Sequence, residues 1–155
     1  MNARPCLSCS IVSAQRTPVG GTIAETAHFH VHQDVAYPVP GLVIVAAKRH
    51  FLALDDMTPD EVTELLPLML RVRRAQRDVL GIEHTYYFYN EDTMHHFHLW
   101  MVPRHQWMSA FGRSIESVRP ALRHARDTMS DEGSIEELAR ISDRLRQSLA
   151  KTDAA

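Results

Sequence analysis

The sequence has no apolar run close to the roughly 20 residues that a membrane-spanning helix needs, so neither a transmembrane segment nor a membrane partner is expected. It has no basic excess either. Its 17 Lys and Arg stand against 19 Asp and Glu, a net charge of -2 with the histidines neutral. That balance argues against a protein that holds a nucleic-acid polymer by electrostatics. Only two cysteines are present, too few for the disulfide framework of a small secreted domain. The stretch Met1-Asn2-Ala3-Arg4-Pro5 lacks the apolar core of a signal peptide, and a cytoplasmic location is expected. There is no internal repeat and no low-complexity segment.

Histidine is abundant: 10 in 155 residues, which invites a metal-binding or acid–base role. The most informative stretch is His95-His96-Phe97-His98-Leu99-Trp100-Met101-Val102-Pro103-Arg104. Read as a strand, it sets His96, His98 and Trp100 on one face and Phe97, Leu99 and Met101 on the other. Pro103, with no N–H to donate, ends the ladder. The pattern alone fits either a functional site or a half-exposed strand whose histidines meet water. A second alternating run, His28-Phe29-His30-Val31-His32-Gln33-Asp34, rivals it, with Phe29 and Val31 on its apolar face.

Cys6-Leu7-Ser8-Cys9 holds both cysteines. In a cytoplasmic protein this spacing points to metal or redox chemistry, and the absence of a surrounding βαβ unit disfavours a thioredoxin-like role. Two thiolates make half of a tetrahedral zinc site. Residues 10–13 read as the start of a strand. Pro18-Val19-Gly20-Gly21-Thr22 reads as a turn. Leu42 to Ala47 is almost wholly apolar and fits a central strand covered on both faces. A helix follows. Thr58 is its N-cap, Pro59 its first residue and Glu61 the far half of a capping box. Val62, Leu65, Leu66, Met69, Val72 and Val79 recur at helical spacing, Pro67 predicts a bend, and Gly81 ends the helix. Thr85 to Tyr89 is an aromatic strand that a short polar turn joins to the histidine strand as a hairpin. Ser114 to about Met129 reads as helical. A last helix, capped by Ser134, carries Ile135, Leu138, Ile141, Leu145 and Leu149 on one stripe.

Taken together, Pro40-Gly41-Leu42-Val43-Ile44-Val45, Lys48-Arg49-His50 and His96-Phe97-His98-Leu99-Trp100-Met101-Val102-Pro103-Arg104 resemble the histidine triad superfamily of nucleotide hydrolases and transferases. The match runs from about Cys6 to Arg104. The resemblance implies an α+β fold: an antiparallel sheet of about five strands, a long helix after the central strands and C-terminal helices beyond. It divides the chain into a catalytic domain over 1–112 and a helical extension over 113–155, and it implies a homodimer. The middle histidine of the motif, His98, would be the nucleophile that attacks an α-phosphorus and forms a nucleotidyl-histidine. Thr93 matches a residue near the leaving group, and Asn90 one directed at the phosphates. Gln33 or Asp34 would meet the ribose hydroxyls.

Two features depart from the family pattern. Trp100 replaces the third histidine, and an indole N–H donates without accepting or shuttling a proton. The glycine-rich loop before the motif is short. Galactose-1-phosphate uridylyltransferases also lack the third histidine, and in them a structural zinc is held by a set that corresponds to Cys6, Cys9, His50 and His96. His95 is a second candidate for the fourth ligand. The resemblance thus implies a hydrolase acting at the α-phosphate of a nucleoside 5′-phosphoryl compound of the diadenosine polyphosphate or phosphoramidate type. The alternatives are a nucleotidyltransferase or phosphorylase with an acceptor other than water, and a non-catalytic nucleotide-binding protein.

Overall fold

A computed structural model describes residues 6–92 and 96–153. Strands β1 (Thr22–Glu25), β2 (Phe29–Gln33), β3 (Val43–Ala47), β4 (Thr85–Phe88) and β5 (His98–Pro103) form one sheet in the order β1-β2-β3-β5-β4. Every neighbouring pair is antiparallel. The chain is α+β, with the long helix after the central strands and two helices at the C-terminal end.

β3 occupies the centre because Val-Ile-Val-Ala-Ala offers only apolar side chains to both faces, and all five residues are buried. Its register sets the site. His30 of β2, Ala46 of β3 and His98 of β5 lie in one row, and His32, Ile44 and Trp100 in the next. Paired residues share a face, so His30 looks across the small Ala46 at His98, and His32 looks across Ile44 at Trp100.

The other face is covered by α2 (Pro59–Leu80) and α4 (Glu132–Asp153), which bury Phe29, Val31, Val45, Phe97 and Met101 beneath Leu68, Val72, Ile141 and Leu145. α2 begins as its sequence dictates. The Thr58 hydroxyl accepts from the Glu61 N–H at 3.3 Å, and the Glu61 carboxylate accepts from the Thr58 N–H at 2.7 Å. Gly81 ends it at φ 64°. The helix runs through Pro67 as a single element. Buried Gln76 ties it to the sheet, its Nε2 donating to the carbonyls of Gly41 and Met101 at 2.9 and 3.1 Å. Gly41 itself has φ +74°, and a Cβ there would come within 2.5 Å of Leu80 Cδ1.

Two local expectations change. Residues 10–13 do not start a strand. Leu7–Val12 forms a short helix, α1, whose N-cap is Cys6. The β-branched pair Ile11-Val12 suggests a strand, but Ile11 is buried as a helical residue instead. α4 starts two residues before Ser134. Asp131 caps it, accepting from the Ser134 N–H at 3.0 Å. α3 (Ser114–Thr128) packs on the His98 face of the sheet, where Val118, Ala121 and Leu122 meet Leu42, Ile44 and Val102.

Candidate metal centre and nucleophile

Four side chains from three places in the chain converge beside the start of β5. Cys6 and Cys9 come from the first turn of α1, His50 from just after β3 and His96 from just before β5. Their ligand atoms all lie within 4.8 Å of one another. The Nδ1 atoms of His50 and His96 are 3.1 Å apart. Cys9 Sγ is 3.3 Å from the first and 3.5 Å from the second, and Cys6 Sγ is 3.4 Å from His96 Nδ1. Zinc bonds of about 2.0–2.3 Å give tetrahedral edges of about 3.3–3.8 Å, so these separations fit one ion. His96 Nε2 donates to the Ala47 carbonyl at 2.7 Å. A carbonyl only accepts, so the proton sits on Nε2 and the Nδ1 lone pair faces the cluster. Burial, together with the neighbouring Cys6, pushes the Cys9 thiol up, and a bound cation would favour its thiolate.

His98 sits two residues beyond His96 and is 6% exposed. Its Nδ1 donates to the backbone carbonyl of His96 at 2.9 Å. By the same logic Nε2 holds the free lone pair. His96 therefore serves twice: its side chain joins the metal cluster and its carbonyl fixes the tautomer of His98. The Trp100 ring lies 6.1 Å from the His98 ring.

Across Ala46 and Ile44, His30 and His32 complete the face, their rings 5.5 Å apart. His32 Nδ1 donates to the Gln33 carbonyl at 2.8 Å, so Nε2 is an acceptor, buried and unpartnered among the described residues. Burial drives His32 down to about 4 and keeps it neutral. Burial also lowers His30, whose Nε2 lies 3.0 Å from the Thr22 hydroxyl. Asp34 continues this face beyond β2. Burial raises it, and its Oδ1 accepts from the N–H groups of Ala36 and Tyr37 at 2.8 and 2.7 Å. The turn so formed holds Tyr37 edge-on to Trp100, ring centroids 6.0 Å apart.

No protein-family model matches the chain, and no curated protein matches it. Solved structures do. A zinc-bound histidine triad family protein of Mycobacterium smegmatis matches with a TM-score of 0.70 at 26% identity, over 97% of this chain and 96% of that one. The fold is that of a histidine triad protein. A histidine triad nucleotide-binding protein of Sulfolobus tokodaii matches with a TM-score of 0.69 at 18% identity, over 94% and 93% of the two chains. A HIT family protein of Bacillus anthracis matches at 0.62 and 19%, over 90% and 95%. A zinc-bound neighbour of this fold and four donors at zinc spacing support a zinc site at Cys6, Cys9, His50 and His96.

The residues singled out from the sequence fall into three groups. Cys6, Cys9, His50 and His96 come together beside the start of β5, His98 and Trp100 follow along that strand, and Asp34 continues the same face beyond the end of β2. Asn90 follows β4 and lines a cavity with Trp100. Gln33 does not face the site. It is wholly buried, donates to the Val39 carbonyl at 2.9 Å and accepts from the Gly41 N–H at 3.2 Å, so both ends of its amide pin the β2–β3 connection. Strand alternation explains this, since Asp34 shares a side with His30 and His32 and Gln33 does not. Thr93 and His95 lie outside the described residues. The sequence reading gave no role to His30, His32 or Tyr37. The signals were the alternating histidines of β2 and a lone aromatic held between Asp34 and the prolines.

Proposed function

We propose that this chain is a nucleotide hydrolase acting at the α-phosphate of a nucleoside 5′-phosphoryl compound, with His98 as nucleophile. The observation that carries the reading is the 2.9 Å bond from His98 Nδ1 to the His96 carbonyl, which leaves the Nε2 lone pair free to attack on the open face of the sheet. Nε2 would attack the α-phosphorus, a P–N bond would form and the bond to the leaving group would break with its electron pair. Water would then attack the same phosphorus, a P–O bond would form, the P–N bond would break with its electron pair returning to His98 Nε2, and the added water would lose a proton to solvent. The His96 carbonyl would favour the positive charge that the imidazole carries in the adduct. The ribose end of the substrate would lie over β2 by Asp34, with Thr93 and Asn90 toward the phosphates and leaving group. The zinc would be structural: its four protein ligands close the coordination shell.

One observation favours a second reading. Trp100 cannot protonate a leaving group, which suits a transferase or phosphorylase whose acceptor resolves the adduct. Added phosphate or sugar phosphate would accelerate consumption in that case and not in simple hydrolysis. A non-catalytic nucleotide sensor is the remaining alternative. The test is turnover of a panel of nucleoside polyphosphates and phosphoramidates by wild type and by His98→Ala. Loss of roughly a thousandfold or more in the variant supports the nucleophile. Retention of configuration at an isotopically chiral α-phosphorus supports two successive displacements, and inversion contradicts them. We also propose a homodimer. β4 is an open sheet edge with Tyr87 exposed, and Val62, Leu66 and Leu70 form an exposed apolar stripe on α2.

A further inference from the structure

Arg104 follows β5 at the end away from His98. Its backbone N–H donates to the His84 carbonyl at 2.9 Å. Its guanidinium donates through Nη1 to the Tyr86 hydroxyl at 3.3 Å and through Nη2 to the Gly112 carbonyl at 3.1 Å. Neutral partners therefore hold the group in place, and its charge meets no carboxylate among the described residues. The rest of its donor fork is unused. Beside it opens a cavity of about 380 Å³ lined by His84, Tyr86, Arg104 and Arg113.

No carboxylate lines this cavity. Arg113 is exposed and makes no hydrogen bond or ion pair among the described residues. The Tyr86 oxygen accepts from Arg104, so its own hydrogen is left to donate. His84 adds an exposed imidazole whose Nε2 is 3.8 Å from the Glu83 carboxylate. Glu83 lines the adjoining cavity, and Glu116 lies in the first turn of α3, but neither pairs with Arg104 or Arg113. Two guanidinium groups at one cavity repel each other, and an anion between them turns that repulsion into two attractions.

We infer that this cavity binds a small phosphate-type dianion, held between Arg104 and Arg113 with the Tyr86 hydroxyl as a further donor. Two planar forks carried by different elements, with a phenol beside them, suit a tetrahedral group that presents oxygens on several sides. A single carboxylate is already satisfied by one fork. The site is separate from the reaction proposed above and does not rest on it. The six residues of β5 lie between the cavity and the start of the strand at His98, about 20 Å at ~3.3 Å per residue. The cavity opens on the α3 side of β4, where Tyr86 packs with Phe88 and Trp100, and the exposed Tyr87 points to the other side. Arg113 is the N-cap residue of α3. An anion bridging it to Arg104 thus fastens the start of the helix that roofs the His98 face to the end of the sheet.

The test titrates the zinc-loaded chain at one ionic strength with inorganic phosphate and with malonate, a dicarboxylate dianion, and follows the backbone amide resonances. Phosphate should shift residues 84–86 and 112–117 along one saturable curve and bind roughly tenfold more tightly than malonate. Arg113→Gln removes a side chain without partners, and it should weaken phosphate about 5–10-fold, as expected for one partly solvated charged contact. Tyr86→Phe keeps the ring, and loss of its hydroxyl should weaken binding about threefold. The unfolding midpoint of each variant reports on folding. Phosphate shifts confined to residues 30–34 and 96–100 would put the anion at the reaction site and overturn the assignment. Unchanged affinity in Arg113→Gln, or malonate binding as tightly as phosphate, would overturn it too. Amide hydrogen exchange over residues 114–118 should slow when phosphate is bound, and unaltered rates would reject the fastening of α3.

Discussion

His96 ties two functions to one residue. Its imidazole joins Cys6, Cys9 and His50, and its carbonyl holds His98 Nδ1. A zinc ion held by this cluster would fasten α1 to the end of β3 and to the residue whose carbonyl sets the tautomer of His98. Replacing Cys9 by Ser should lower bound zinc from one ion per chain and reduce the unfolding midpoint by about 5–10 °C, the effect of losing a few kcal/mol in a chain of this size. Metal analysis and thermal unfolding check this; full zinc content with an unchanged midpoint would contradict it. The cysteine spacing and His50 were legible as half a zinc site and a matching histidine because the ligands keep short, recognisable motifs. The choice between Gln33 and Asp34 was not legible, because it turns on a one-residue register that flips every side chain to the opposite face.

At the scale of elements, the start of α2 shows how local chemistry and packing agree. The capping box of Thr58 and Glu61 could be read directly, since its residues are three positions apart and need no tertiary partner. Its partner Arg49 could not. The guanidinium crosses from the end of β3 and clasps the Glu61 carboxylate at 3.0 and 2.8 Å. Arg49, aided by the Thr58 N–H, holds Glu61 down at about 2 against an ordinary 4.5. A depressed acid stabilises the fold above its unfolded value, so this contribution is complete above about pH 4.5 and fades as pH falls toward 2. Discounted for the half-exposed Arg49, it amounts to about 1–2 kcal/mol. Glu61→Gln should lower the urea midpoint at pH 6 and flatten its acid dependence relative to wild type. Parallel curves for the two proteins between pH 5 and 3 would refute this assignment. β1 and α1 were hard to read for the opposite reason. Both are short, and both are fixed by what they touch: β1 pairs along the edge of β2, and Cys6 and Cys9 in α1 face the histidines of the metal cluster.

Across the whole molecule, the sheet divides the labour. One face is sealed by α2 and α4. The other carries His30, His32, His98 and Trp100 and is only partly roofed by α3. The antiparallel sheet of about five strands and the long helix after the central strands were legible from alternation, caps and the family resemblance. The roof was not, because α3 reads as an ordinary amphipathic helix and nothing local says which sheet face receives it. The free edge at β4 and the apolar stripe of α2 lead to a prediction at this scale. In solution the particle should have twice the 17.7 kDa mass of one chain, and Leu66→Asp should shift it to the single-chain mass. Light scattering on both proteins decides this, and a wild-type mass of one chain would contradict the proposed dimer.

The central claim is that His98 Nε2 becomes covalently bound to the substrate's α-phosphorus. Intact mass after millisecond mixing with nucleoside 5′-phosphoryl substrates tests it most directly. The account predicts a mass gain of one nucleotidyl group on wild type, localised to His98 and absent from His98→Ala. Consumption of substrate by His98→Ala at the wild-type rate, or a gain on any residue other than His98, would contradict it.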